Sequence, residues 1–464
     1  MSQRLHYDIV VIGSGPAGHK AAIQGAKAGK RVAIIERNKE VGGACVHQGT
    51  IPSKTLRECA MNIVRFNRIP EIFDYRLRDD LKVPHLIHRL EGVIQAHTQF
   101  MSDQLRRNSI TCYHGRARFL SAHELHISTP GRGSLQCSAD YIVIATGSRP
   151  RTLSHIPVDH EHILDSDSIL SLIYLPKTLT VLGGGIIASE YASFFSQLGV
   201  QVTMIDQAER PLRFMDPEIV EGFLREFRQD GGTYLGRQTI REVFWDGLSQ
   251  VVTVLDNGTA VKSEKLLMAL GRVANIEDLG LEAAGIKPTP RGLIPVNQYC
   301  QTAIPHIYAV GDVIGPPSLA SCSMEQGRRA VRHALGLDLG SPPEMVPIGI
   351  YTIPEMACVG LGEDEARARF GGVQVGRAHF REIARGQISG MTDGLLKMIA
   401  DLQGKKLLGV HIVGDGATEL IHIAQMGLIA HVDVESFVEN IFNFPTLAEA
   451  YRVAALDIAK RVPR

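Results

Sequence analysis

Residues 41–56 read VGGACVHQGTIPSKTL and place a lone Cys45, a Thr50 and a Lys54 within ten positions. A thiol can act as nucleophile or electron donor once ionised. A hydroxyl offers only hydrogen bonds, and an ammonium stabilises nearby negative charge. The small residues before Cys45 let the backbone approach a flat cofactor closely. Pro52 suits the first turn of a helix, where its missing N–H would be unpaired anyway. The spacing predicts Cys45, Thr50 and Lys54 presented from one helical start, about a turn apart. Cys45-Val46-His47 is too little for a metal centre, and neither CxxC nor HExxH occurs.

Other elements must hold that stretch against a cofactor. Residues 7–37, YDIVVIGSGPAGHKAAIQGAKAGKRVAIIER, read as a strand, a glycine turn, a helix and a second strand over 31–35 that ends in Glu36. Gly13 suits the tight turn, Gly15 lets the backbone meet a pyrophosphate, and Gly18 lets helix pack on strand. The helix start offers unpaired N–H groups to phosphate, and Glu36 stands where an acid accepts from a ribose hydroxyl. A bare glycine triplet is weak; strand before, helix after and acid at the next strand end make this one specific. The bland alternative is a structural glycine turn.

Residues 178–206 repeat the pattern with Gly183, Gly185 and Ala188, and Asp206 ends the second strand. Two such units imply two dinucleotides, FAD first and a nicotinamide nucleotide second. The alternative is a duplicated unit with one site empty. An acid at position 206 pairs with a free 2′-hydroxyl and repels a 2′-phosphate, so NAD(H) is expected to be preferred over NADP(H). Arg210 and Arg213 follow closely and read as solvated side chains unless they reach a phosphate.

Between and beyond these units, 57–110 reads as helix with a loop around 69–84. Residues 111–140 read as a small antiparallel ribbon, and 141–151 as a strand ending at Ala145. Residues 240–272 alternate, and 302–315 form a strand leading into Gly311-Asp312. A helix follows, then a third region of strands and helices over 341–464.

Lys plus Arg and Asp plus Glu both number 49, with no basic block. Nucleic acid and anionic membrane are therefore not expected partners. No apolar run has spanning length, and none has a signal-peptide layout at the start. The 7 cysteines are scattered without paired spacing, which argues for a reducing, cytoplasmic setting. No metal is expected.

The stretch around Cys45 resembles the redox motif of the flavin-dependent pyridine nucleotide–disulfide oxidoreductases. That family has two cysteines separated by four residues, followed by Pro-Ser-Lys. Here Cys45 matches the first cysteine and Thr50 stands at the second, the one that faces the flavin. The resemblance implies an α/β fold with two Rossmann-like domains, for FAD and NAD(P), plus a C-terminal α+β dimerisation domain. The expected bounds are 1–150 and 274–340 for the FAD domain, 151–273 for the nucleotide domain and 341–464 for dimerisation. It also implies cofactor contacts at Thr146-Gly147, at Gly271 with Arg272 and Asn275, and at Gly311-Asp312, whose acid would bind the ribityl chain. Glu190 matches the acid that pairs with the lysine of Pro-Ser-Lys, here Lys54, beside the flavin. A homodimer, or a higher homo-oligomer, is expected.

Two departures bear on activity. Thr50 cannot close a disulfide. Phe444 stands where the family has an acid–base histidine, leaving Glu449 without it. Both fall on thiol–disulfide exchange, while the flavin and nucleotide parts are intact. GTIPSK together with FNFPTLAEAYRVAA (442–455) resembles the soluble, Si-specific pyridine nucleotide transhydrogenase branch. That resemblance implies hydride transfer between NADPH/NADP+ and NADH/NAD+ through bound FAD by a ping-pong route, with Lys54 and Glu190 as catalytic residues. Cys45 is expected to be a packed small side chain. An NADH dehydrogenase (diaphorase) reducing a quinone, oxygen or a protein is the alternative that Asp206 favours. A non-enzymatic flavoprotein is a third, opposed by the Lys54–Glu190 match and the complete second unit.

Overall fold

The strand Leu5–Ile12 is rich in Ile and Val, and its second half, residues 9–12, is wholly buried, as a parallel strand covered on both faces must be. The computed structural model containing it describes residues 5–67, 83–129, 131 and 133–462; the loop expected around 69–84 lies mostly outside them. Leu5–Ile12 pairs in parallel with Val32–Glu36 on one side and Gly133–Ile144 on the other. The intervening helix, Pro16–Lys27, opens on a proline after Gly15, and the chain turns out of it at Gly29 with φ +75°. That is the asymmetry of helix ends expected from missing N–H groups and left-handed caps.

The segment expected to be a ribbon divides its strands between two roles. Thr111–His114 joins the parallel sheet beside Val32–Glu36. Arg116–Phe119 and Glu124–Thr129 run antiparallel onto the first half of Gly133–Ile144. The long last strand serves both, because its second half carries the apolar run Tyr141–Ile144. Ile307–Ala309 completes a seven-stranded sheet of the described residues by pairing with that half. The helix Ala320–Ala334 then crosses the first helix at Gly327, where any Cβ would strike the Ala17 carbonyl. These pieces, residues 1–55, 87–151 and 271–342, form one compact unit.

Residues 56–86, 152–270 and 343–464 form the other. Its nucleotide-type sheet is parallel, in the order Thr233–Leu235, Gln201–Ile205, Thr178–Leu182, Lys265–Met268, Ile163–Asp165. The alternating residues after 240 form a separate antiparallel ribbon of three strands among the described residues. The C-terminal part is a five-stranded antiparallel sheet within those residues, packed by the helices Ala417–Ile429 and Glu449–Ala459. Buried Lys397 on that sheet reaches Asp216 at 2.8 Å, Glu363 at 2.6 Å and Glu218 at 3.1 Å. This joins the start of the helix Pro217–Gln229 to the C-terminal sheet.

Candidate cofactor and nucleotide site

The three glycines of the first fingerprint do separate jobs. Gly13 has φ +102°, and a Cβ there would run into the Ala145 carbonyl. At Gly18 a Cβ would collide with the Gly13 carbonyl, whereas the matching Ala188 of the second unit is buried with its methyl accommodated. Around Gly15 the nearest atom to an added Cβ is the Gly43 Cα at 4.0 Å, so the loop is open where a pyrophosphate would lie.

Glu36 is buried and already holds its own loop. Its Oε2 accepts from the Ser14 N–H at 3.0 Å and from the Ser14 hydroxyl at 2.6 Å; Oε1 accepts from the Asn38 N–H at 2.9 Å. A carboxylate offers about four acceptor positions, so one remains for a ribose. The Ser14 oxygen in turn accepts from the Gly42 N–H at 3.0 Å. Ser14 therefore ties the pyrophosphate loop to the segment that leads into Cys45. Nothing in the sequence singled Ser14 out, because its position in the fingerprint carries no residue requirement.

Cys45 does not share a helix with Thr50 and Lys54. It sits in a short helix, Gly43–His47, and a second helix, Thr50–Asn67, begins afterwards with Pro52 in its first turn. The break has a local cause. Gly42 and Gly43 have φ +125° and +61°, launching one turn that ends when Gln48 leaves the helical region at φ −136°. The Thr50 side chain is still near enough to the Cys45 sulfur to favour its thiolate. Burial pushes the Cys45 thiol up, against smaller opposing pulls from Thr50 and Lys54. The thiol is thus kept protonated, the reverse of what a reactive cysteine needs. Lys54 donates to the Ser53 hydroxyl at 3.3 Å.

Thr146-Gly147 follows the end of Gly133–Ile144. The Thr146 hydroxyl is buried with no hydrogen-bond partner, and Gly147, at φ +69°, has nothing within 4 Å of an added Cβ. Beside them, the Ser148 hydroxyl donates to Asp312 Oδ2 at 2.6 Å. Arg272 donates to that same Ser148 oxygen at 2.8 Å and to the Ser148 carbonyl at 2.8 Å. Gly271 leads into this strand at φ +101°, and Asn275 donates to the Thr146 carbonyl at 2.9 Å. The Gly311 N–H is held by Gln326 at 2.8 Å. An orphaned hydroxyl, an open glycine loop and a partly used carboxylate are what a dinucleotide cofactor would complete; the residues fit FAD.

In the second unit, Gly183 has φ +114° and a Cβ there would lie 2.7 Å from the Ala269 carbonyl, while Gly185 is open. Asp206 ends the strand as expected. Its Oδ1 accepts from the Ala208 N–H at 2.6 Å, and its Oδ2 lies beside Gly184, 3.1 Å from where a Cβ would be. Glu190 is buried in the helix Ile186–Gln197, and its Oε1 accepts from the Tyr351 N–H at 2.9 Å. Lys54 and Glu190 belong to different compact units. In the C-terminal part, Phe444 is 69% exposed. Glu449 begins the helix Glu449–Ala459 and accepts from the Thr446 N–H, in the turn that leads into it, at 3.4 Å. That gives it a structural task without a histidine.

Among the described residues no group of three or more His, Cys, Asp or Glu is placed to hold a metal, and no helix is long and apolar enough to cross a membrane. All seven cysteines are free.

Comparison with known proteins agrees with this geometry. Residues 7–327 match the pyridine nucleotide-disulphide oxidoreductase family and residues 346–455 its dimerisation domain. A soluble pyridine nucleotide transhydrogenase of Mycobacterium tuberculosis is 43% identical over 98% of both chains. One from a Marinomonas species is 41% identical over 98% of this chain and 99% of its own. Among solved structures, LpdA of M. tuberculosis superposes with a TM-score of 0.90 at 26% identity, covering 97% of this chain and 99% of that one. The HOCl-induced flavoprotein disulfide reductase RclA of Escherichia coli gives 0.87 at 28%, with the same coverage. With a family match spanning both Rossmann-like domains and the C-terminal domain, the chain belongs to the pyridine nucleotide-disulphide oxidoreductase family.

Proposed function

We propose that this flavoprotein is a transhydrogenase, moving hydride between NADPH/NADP+ and NADH/NAD+ in a ping-pong cycle at one nucleotide site. The observation that carries the reading is Thr50, close to Cys45, where the family has its second cysteine: a pair that cannot close a disulfide or exchange electrons. The relatives that are over 40% identical along the chain bear the same activity in their names.

FAD, when bound, supplies the hydride relay between the two nucleotides. The chain's own residues bind, orient and neutralise. Gly15 makes room for the pyrophosphate in the turn that Gly13 and Gly18 allow, Glu36 takes a ribose hydroxyl, and Asp312, held by Ser148, takes the ribityl chain. Lys54, near the start of its helix, presents a positive charge where negative charge develops, the kind of fixed electrostatic support that accelerates such steps most. Glu190 is the acid we assign to orient that charge. Gly183, Gly185 and Asp206 hold the nicotinamide nucleotide. Cys45 is a packed, protonated thiol and carries no electrons. The protein works as a homodimer in the cytoplasm, a setting its free cysteines suit.

A second reading, an NADH dehydrogenase with another acceptor, rests on Asp206, which disfavours a 2′-phosphate. Anaerobic stopped-flow absorbance separates the two. The FAD-loaded protein is mixed with NADPH or NADH and then with a thio-analogue of the other nucleotide. Bleaching by both and reoxidation by the analogue are expected. Bleaching by NADH alone would leave the dehydrogenase.

A further inference from the structure

Arg57 stands three residues after Lys54 on the helix Thr50–Asn67, so the two side chains leave the same face about one turn apart. Arg57 is only 7% exposed, an uncommon place for a guanidinium unless it is paired. Its Nη2 meets Glu355 Oε1 at 2.9 Å, and its Nε donates to the Thr352 carbonyl at 3.3 Å. Glu355 is buried as well and is held from its other side. Its Oε2 accepts from the Thr418 N–H at 3.1 Å and from the Thr418 hydroxyl at 2.8 Å. Thr418 lies in the first turn of the helix Ala417–Ile429, where negative charge is favoured.

The segment 351–355 that carries Glu355 also meets the helix of Glu190. The Tyr351 N–H donates to Glu190 Oε1 at 2.9 Å, and the Ile353 N–H donates to the Ser193 hydroxyl oxygen at 3.1 Å. Glu190 and Ser193 are three apart on Ile186–Gln197, and the Ser193 hydroxyl donates to the Glu190 carbonyl at 2.9 Å. One peptide group joins the two helices. The Thr352 carbonyl and the Ile353 N–H belong to the same plane and point in opposite directions. The first accepts from Arg57 and the second reaches Ser193. Thr352 is fully buried, and its hydroxyl donates to the Pro354 carbonyl at 2.6 Å.

Resting on the roles assigned above to Lys54 and Glu190, we propose that Arg57 and Glu355 are positioning residues for flavin reduction. They act through Lys54 and Glu190 and not on the reacting atoms. Their pair docks the Lys54 helix on the segment 351–355, and the same segment orients the Glu190 carboxylate. Both charged groups thus take their aim from one piece of chain. A buried ion pair gains little stability over an apolar contact of the same size. What it adds is direction. A guanidinium that meets a carboxylate with one nitrogen and a carbonyl with another fixes the rotation of its helix, as a methylene chain would not. Rotation of that helix swings the Lys54 ammonium, and a misplacement of about 1 Å costs up to about 10²-fold in rate.

The test is anaerobic stopped-flow bleaching of the FAD-loaded protein by NADH, which gives a limiting rate and a half-saturating concentration. Arg57→Met is expected to lower the limiting rate about tenfold. The half-saturating concentration, which reads the nucleotide site, is expected to stay within about twofold. Arg57→Lys keeps a charge for Glu355, so it remains measurable if Arg57→Met fails to fold. It loses the Nε bond to Thr352 and is expected to slow bleaching about fivefold. The decisive readout is coupling. In a Lys54→Met background neither change is expected to slow bleaching further, because the charge that they aim is gone. Equal losses in both backgrounds, or a limiting rate unmoved by either Arg57 variant, would overturn the positioning role and leave the Lys54 assignment standing. Bleaching unslowed by Lys54→Met alone would overturn both. Reoxidation of the reduced wild type by the thio-analogue of NADP+ tests the transhydrogenase reading separately.

Discussion

The Thr50 side chain lies near enough to the Cys45 sulfur to favour its thiolate, so the two positions that would form the family's redox disulfide are neighbours although only one carries sulfur. That proximity survives the helix break between them.

Thr50→Cys is expected to restore a closable pair. On mild oxidation the variant loses two titratable thiols relative to its reduced form, counted with a thiol reagent in denaturant, while wild type loses none. Disulfide-substrate turnover is expected to stay low, because Phe444 carries no proton for the leaving thiolate. Two thiols persisting in oxidised Thr50→Cys would show that the segment holds the side chains apart.

Cys45 itself is expected to be inert near neutrality. Burial raises its pKa above that of a free thiol, so the thiolate fraction at pH 8 is smaller than in a free cysteine and alkylation accelerates only at higher pH. Mass spectrometry of the peptide bearing Cys45 after timed iodoacetamide treatment measures this. Rapid labelling at pH 7 would mean an activated thiol and would reopen a chemical role for it.

Lys54→Met removes a positive charge without shortening the side chain much. The rate of flavin bleaching by NADH under anaerobic stopped flow is expected to fall about 10²–10³-fold, the range seen when one fixed charge-stabilising group is lost, and Lys54→Arg is expected to recover part of it. A change within threefold in Lys54→Met would reduce Lys54 to a packing residue.

Lys397 is the counter-ion of a buried acidic cluster, with Asp216 and Glu363 largely withdrawn from solvent. Lys397→Met strands those carboxylates and is expected to cost about 3–5 kcal/mol, read as a shift of the urea midpoint; an unchanged midpoint would refute it. The cluster also sets an acid limit. Hydrogen bonding to Arg377, and then to Lys397, lowers the Glu218 pKa from 4.5 to about 2. Its folded value lies below its unfolded one, so the stabilisation is present above about pH 4.5 and is lost as pH falls toward 2. Arg377→Gln is expected to flatten the stability curve across that window.

Most of the local fold of the two nucleotide-type units was legible in the sequence because it rests on residue type at fixed spacing. Gly13, Gly18 and Gly183 are where a Cβ has no room, and Glu36 and Asp206 end the strands they were expected to end. Contacts across long separations were not legible. Ser14 and Ser148 hold the named site residues, yet serine at those positions suits many loops. The break between Cys45 and Thr50 was missed for a related reason. A pair of left-handed glycines can start a turn, but whether one helix or two follows depends on what packs against them. Thr111–His114 went to the parallel sheet instead of the ribbon because pairing is chosen by the neighbouring strand, which local alternation does not reveal.

The crossing at Gly327 on Ala17 and the pairing of Ile307–Ala309 with Gly133–Ile144 have a consequence for synthesis on the ribosome. The first 150 residues emerge with the helix Pro16–Lys27 uncovered on one side and a sheet one strand short. They wait through more than a hundred intervening residues before the segment that covers them is made. The nucleotide unit that interrupts them has its own strands in hand by then. The flavin-binding fold is thus closed from its far end, and a chain released before Gly327 has nothing with which to shut it.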